Sequence, residues 1–187
     1  SRYFDAFRID HILGFFRIWS IPSHAIQGIM GRFVPCLPVH INEFGEKGIW
    51  FDYQRYCRPF INDQVISEVL PGLSKEWKSR FLVVNEFGGY DLQPAYTTQL
   101  AIEQFFAGLE STDENLRIKN GLFTLIANVI LFEEEGSQGE KYHFRISMEK
   151  TISFRYLDEV TGQKLKELYL DYFYKRQDDF WYKEAMN

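Results

Sequence analysis

The sequence predicts an α+β fold, mostly helical, with one or two β-hairpins. Three observations predict it. Polar cap residues precede apolar-periodic runs at 62–70, 97–109 and 158–184, the pattern of helices with one buried face. Short strand-like runs flank glycine-bearing turns at 81–92 and 129–146. Between residues 41 and 153 no strand–helix unit repeats, and no apolar run of the parallel-strand type is visible.

The first element is a strand over Tyr3-Phe4-Asp5-Ala6-Phe7-Arg8-Ile9 that ends at Asp10-His11. Side chains alternate between faces along a strand, so Arg8 and Asp10 point the same way. A guanidinium beside a carboxylate lowers the carboxylate pKa by about 1–3 units. Each unit is worth about 1.4 kcal/mol between protonation states. An aspartate held ionised suits a nucleophile. It suits a general acid badly, because an acid needs a raised pKa. His11 adds a donor beside it. The spacing alone leaves two readings open: a structural ion pair, or a nucleophile held ready by its neighbour.

Residues 21–40 read as an irregular loop, marked by Pro22, Pro35 and Pro38 with Gly28 and Gly31. Arg32 within it reads as an exposed structural arginine or a substrate contact. Asn62 or Asp63 caps a helix to residue 70, stopped by Pro71-Gly72, and Ser74 caps the next. Residues 81–86 have strand character, and Gly88-Gly89 closes a hairpin with Tyr90-Asp91-Leu92. Thr97 or Thr98 caps a helix expected to turn Leu100, Phe105, Phe106 and Leu109 inward. The helix over 113–125 should bury Leu116, Leu122, Phe123 and Ile126. Gly121 weakens it by about 1 kcal/mol relative to alanine. Residues 129–132 and 142–146 form the second hairpin around a polar turn. Asp158 or Glu159 starts a long helix with Leu165, Leu168, Tyr172 and Trp181 along one stripe.

Composition bounds the function. With 45% hydrophobic residues in 187, the chain can bury one core. It is shorter than an eight-fold α/β barrel of about 250 residues. The net charge of −5, with no basic cluster, argues against nucleic acid and fits a neutral substrate. No apolar run is long enough for a membrane span. Cys36 and Cys57 lack metal-type or redox spacing and read as free buried thiols in a reducing, cytoplasmic compartment. His11, His24, His40 and His143 are scattered and propose no metal site; no cofactor is implied. The chain starts without Met inside a strand-like run and stops inside a helical pattern, so it reads as a piece of a larger enzyme.

Arg8-Ile9-Asp10-His11, followed by Ile12-Leu13-Gly14-Phe15-Phe16-Arg17-Ile18-Trp19-Ser20-Ile21-Pro22, resembles the nucleophile segment of the amylomaltases. These are the 4-alpha-glucanotransferases of glycoside hydrolase family 77, in the alpha-amylase clan. Residues 25–35, with Gly31-Arg32-Phe33, resemble the loop that follows. Arg145-Ile146-Ser147-Met148-Glu149-Lys150-Thr151 with Ser153-Phe154, then Leu168-Tyr169-Leu170-Asp171-Tyr172 with Tyr174, Arg176, Gln177 and Trp181, resemble the larger, disproportionating-enzyme-2-like members.

The resemblance implies a fragment of a (β/α)8 TIM barrel. Residues 1–40 would be a barrel segment with the nucleophile strand, 41–155 an insertion of helices and hairpins, and 156–187 a helix leading back to the barrel. It implies catalytic Asp10, with Arg8 and His11 binding substrate. The reaction would move alpha-1,4-glucosyl units from maltose or malto-oligosaccharides to glucan acceptors by retaining double displacement. The family's acid/base Glu sits in a Gly-Glu-Asp-Leu-Gly type motif absent from this sequence. Gly45-Glu46-Lys47-Gly48 and Gly139-Glu140-Lys141 match it poorly, and Asn85-Glu86 falls in the insertion. The acid/base Glu and a third catalytic Asp are therefore expected beyond Asn187, and the piece alone is expected to be inactive. The rival readings are a non-catalytic glucan-binding or interaction module and an amylase-like retaining hydrolase.

Overall fold

The computed structural model describes residues 18–179. Three small antiparallel sheets and eight α-helices are arranged around two hydrophobic clusters in that span. No sheet among the described residues closes into a barrel.

The segment expected as loop holds a ladder. Strand β1 (Ile18–Ser20) pairs with β2 (Arg32–Val34), setting Trp19 opposite Phe33 with ring centroids 4.9 Å apart, edge to face. Three residues per strand are too few for alternation to stand out, and Ile18 and Val34 at the ladder end are exposed.

The first cluster is helical. Helices α1 (Ile41–Glu46) and α2 (Tyr53–Cys57) precede it. Helices α3 (Asp63–Val69), α4 (Lys75–Phe81), α5 (Gln99–Ala107) and α6 (Asp113–Ile126) build it. Each of these four starts at a side chain that accepts a backbone N–H: Asn62, Ser74, Thr98 and Thr112. Such caps satisfy donors that a helix start leaves open, for about 1 kcal/mol each. The hairpin of β4 (Leu82–Val84) and β5 (Tyr90–Leu92) forms as its Gly88-Gly89 turn suggested.

Two inward assignments fail. Leu109 lies past the end of α5 and is exposed, and Leu116 is exposed on α6. The buried stripes run instead through Gln99, Ile102 and Phe106, and through Ile118, Leu122 and Leu125. Gly121 has a packing reason: a Cβ there would lie 2.2 Å from Cδ2 of buried Leu70. The helix propensity it gives up lets α6 approach the end of α3.

The second cluster is built on the sheet β3–β7–β6, where β7 (Lys141–Phe144) pairs with both β6 (Leu131–Glu133) and β3 (Val39–His40). Phe44, Tyr142, Phe144 and Tyr172 fill it, with Leu165 and Leu168. After the short α7 (Ile152–Arg155), α8 (Glu159–Leu170) starts at Asp158 and supplies these leucines. From Asp171 to Arg176 the helix widens into a π turn. In a π turn residues five apart stack on successive turns, which an α-helix of 3.6 residues per turn does not allow.

Asn128 joins the two clusters. Its Nδ2 donates to the Phe60 carbonyl at 2.9 Å and its Oδ1 accepts from Ser153 N at 2.7 Å.

Candidate functional site

Asp10, Arg8 and His11, the residues expected to carry the chemistry, lie outside the described residues. The neighbouring segment 18–40 is described, and two buried glutamines hold it. Gln99 Oε1 accepts from the N–H groups of Ile26 and Gln27, each at 2.9 Å, and its Nε2 donates to Gln27 Oε1 at 2.8 Å. Gln177 Oε1 accepts from Leu37 N at 2.8 Å, and its Nε2 donates to Leu37 O at 2.9 Å. A side-chain amide used on both edges in this way fixes a loop as a backbone strand would.

A buried relay lies between these anchors. Arg32 Nη1 meets His143 Nε2 at 2.9 Å, His143 Nδ1 meets Tyr172 Oη at 2.9 Å, and Tyr172 Oη meets Cys36 Sγ at 2.9 Å. A guanidinium only donates, so His143 Nε2 is the acceptor and Nδ1 carries the proton. Nδ1–H then donates to Tyr172, whose hydroxyl donates on to Cys36. Burial comes first, and the Arg32 charge second, in pushing the His143 pKa down to about 4. Glu134 Oε1, 3.5 Å from the same Nε2, opposes both and does not offset them. The imidazole is therefore neutral at pH 7.

The π turn makes the relay possible. It places Tyr172 toward Cys36 and Gln177 toward Leu37. It also brings Asp171 within 3.0 Å of Arg176, whose guanidinium reaches Pro38 O at 2.8 Å and the Glu43 carboxylate. Arg32, expected to be exposed, is half-buried against His143. The relay was hidden in the sequence because its hydrogen-bonded pairs are 29 to 136 residues apart. One signal was present: His143 stands between Tyr142 and Phe144 in a strand buried on both faces.

A cleft of about 740 Å³ opens between the 52–62 segment and the β4–β5 hairpin. Its wall is docked closely. Tyr90 N donates to Ile61 O at 2.9 Å, and a Cβ at Gly89 would lie 2.7 Å from that carbonyl. The hairpin turn is braced by Asn85, whose Oδ1 accepts from Phe87 N at 3.1 Å and Gly89 N at 3.0 Å and whose Nδ2 donates to Asp91 at 3.2 Å. Phe87, 73% exposed, is therefore held outward at the lip. Glu86 beside it is exposed in this turn. Glu46 and Glu140, at the two Gly-Glu positions, are exposed at the end of α1 and in the β6–β7 turn. No group of three or more His, Cys, Asp or Glu among the described residues is placed to hold a metal. Cys36 and Cys57 are not disulfide-bonded, and burial pushes the Cys57 thiol up to about 12.

A family model described as 4-alpha-glucanotransferase matches residues 1–187. The chain belongs to the family 77 glucanotransferases. It is 33% identical over 193 aligned residues to 4-alpha-glucanotransferase DPE2 of Oryza sativa subsp. japonica, an alignment covering 100% of this chain and 20% of that protein. This family 77 chain therefore spans about a fifth of the length of the curated relative it matches. No solved structure matches it. No helix among the described residues is long and apolar enough to cross a membrane.

Proposed function

We propose that the polypeptide carrying this chain is a 4-alpha-glucanotransferase, with Asp10 as its nucleophile. The observation that carries this reading is the family match along residues 1–187, which takes in the Arg8-Ile9-Asp10-His11 segment. In the proposed reaction Asp10 attacks the anomeric carbon of an alpha-1,4-linked glucosyl residue while the aglycone oxygen is protonated. The covalent glycosyl-enzyme is then opened by the 4-hydroxyl of an acceptor glucan. Arg8 keeps the carboxylate ionised and aimed, and His11 donates to a hydroxyl of the sugar in the cleaved position. The acid/base glutamate comes from another part of the polypeptide, about 5–5.5 Å from Asp10, the separation retaining enzymes use. The chemistry needs neither metal nor cofactor.

In this reading residues 1–40 are a segment of a (β/α)8 barrel, 41–155 an insertion, and 156–187 the path back. Unbonded thiols at Cys36 and Cys57 support a cytoplasmic site of action.

The test is Asp10→Asn in the complete polypeptide. Glucose release from maltose with glycogen as acceptor should fall by at least about 10³-fold. A near-normal rate in that variant would remove Asp10 from the mechanism. Water in place of the glucan acceptor, with reducing ends rising and no transfer product, would identify a hydrolase instead.

A further inference from the structure

We propose that the cleft between residues 52–62 and the β4–β5 hairpin binds a stretch of alpha-1,4-glucan away from the catalytic aspartate. The proposal rests on the glucanotransferase reading for the identity of the sugar, and on the cleft's own geometry for the rest.

A pyranose ring has an apolar face and a rim of hydroxyls that both donate and accept. It needs a ring to lie against and mixed planar polar groups around that ring. The cleft offers both. Phe87 stands exposed at the lip, on a turn braced by three hydrogen bonds of Asn85, so its ring is presented without further ordering. Phe60 and Tyr90 line the wall behind it. Around the rim Asp52, Glu86 and Asp91 are exposed acceptors, while Gln54 and Arg58 add donors. The volume falls within the range of ligand clefts, about 300–1,000 Å³.

The same residues discriminate against other ligands. Three exposed carboxylates stand against one exposed guanidinium, Arg58, because Arg55 is spent on the Ser153 hydroxyl and carbonyl and stacks 4.2 Å over Phe60. A phosphate or other anion would be repelled. An apolar peptide or lipid would bury the rim charges without partners.

The experiment uses the complete polypeptide with Asp10→Asn to stop turnover, and follows amide hydrogen exchange of residues 85–91 as maltoheptaose is added. Protection should appear and saturate. Phe87→Ala should shift the midpoint to about tenfold higher sugar, the loss of about 1.4 kcal/mol, and Phe87→Trp should keep it. Val160→Ala, an exposed apolar site on α8, should leave the titration unchanged. Three results would overturn the proposal: no added protection up to about 10 mM sugar, an equal midpoint in Phe87→Ala, or residues 85–91 already fully protected without sugar because another part of the polypeptide covers them. The function reading fails separately, on turnover of the Asp10 variant; this proposal fails on the exchange of the hairpin.

Discussion

The helical cluster and the sheet cluster solve the same packing problem from opposite starting points. Apart from Met30 and Ile152, the helical cluster draws its buried residues from one continuous stretch, 61–127, and they are mostly aliphatic. The sheet cluster gathers residues from 39–56, 130–148 and 165–172, and three of its buried rings are tyrosines. Neighbouring helices find one another over short loops, so shape and hydrophobicity suffice. Segments a hundred residues apart must select one register among many, and directional hydrogen bonds narrow the choice. The contrast teaches that polar atoms are buried here where sequence distance is greatest.

The largest expected effect sits in the helical cluster. Leu122→Ala, at a fully buried position, should cost about 2–5 kcal/mol in urea unfolding, with the same loss at pH 7 and pH 5. A marked pH dependence of that loss would erase the distinction between the clusters. The sheet cluster should instead show its own acid sensitivity through His143. Its folded pKa is near 4 against an ordinary 6.5, so between these values the unfolded chain takes up a proton that the folded one refuses. Stability should fall as pH drops from about 6.5 toward 4, by up to about 3 kcal/mol, and be unaffected by this group above pH 7. His143→Gln should flatten that slope, read by amide exchange of residues 131–144 against residues 118–126.

Smaller effects sharpen the contrast. Gly121→Ala gains helix propensity but drives a methyl into Leu70, and the net should be a loss of about 1–2 kcal/mol in thermal unfolding. A gain would mean the α3–α6 contact is loose. Tyr172→Phe removes one hydroxyl bonded to both Cys36 and His143, for about 0.5–1.5 kcal/mol. It should also speed modification of Cys36 by a thiol reagent; an unchanged rate would show that the hydroxyl does not hold the sulfur.

The same contrast governs what could be read from the residues alone. Asn62, Ser74, Thr98 and Asp158 act within three residues of their own positions, so their helix starts were legible. Gly88-Gly89 announced its hairpin for the same local reason. Gln99 was illegible as a core residue, because the N–H groups that reward its burial lie 72 and 73 residues back. Leu116 and Leu109 misled because periodicity counts apolar side chains without knowing where the neighbouring helix ends. The family was legible in the segment from Arg8 to Pro22, and the family model matches the whole chain. The Arg32–His143–Tyr172–Cys36 relay was not legible, since none of its pairs is local.

The clasp of Gln177 on Leu37 joins points 140 residues apart and sets the outgoing and returning stems of the intervening chain side by side. The stems are not independent of what lies between them, since Gln99, His143 and Tyr172 of the intervening chain hold residues 26–36. For protein engineering, added sequence is therefore expected to be tolerated at an exposed turn inside the excursion, such as the one at Gly136, better than replacement of the whole of it.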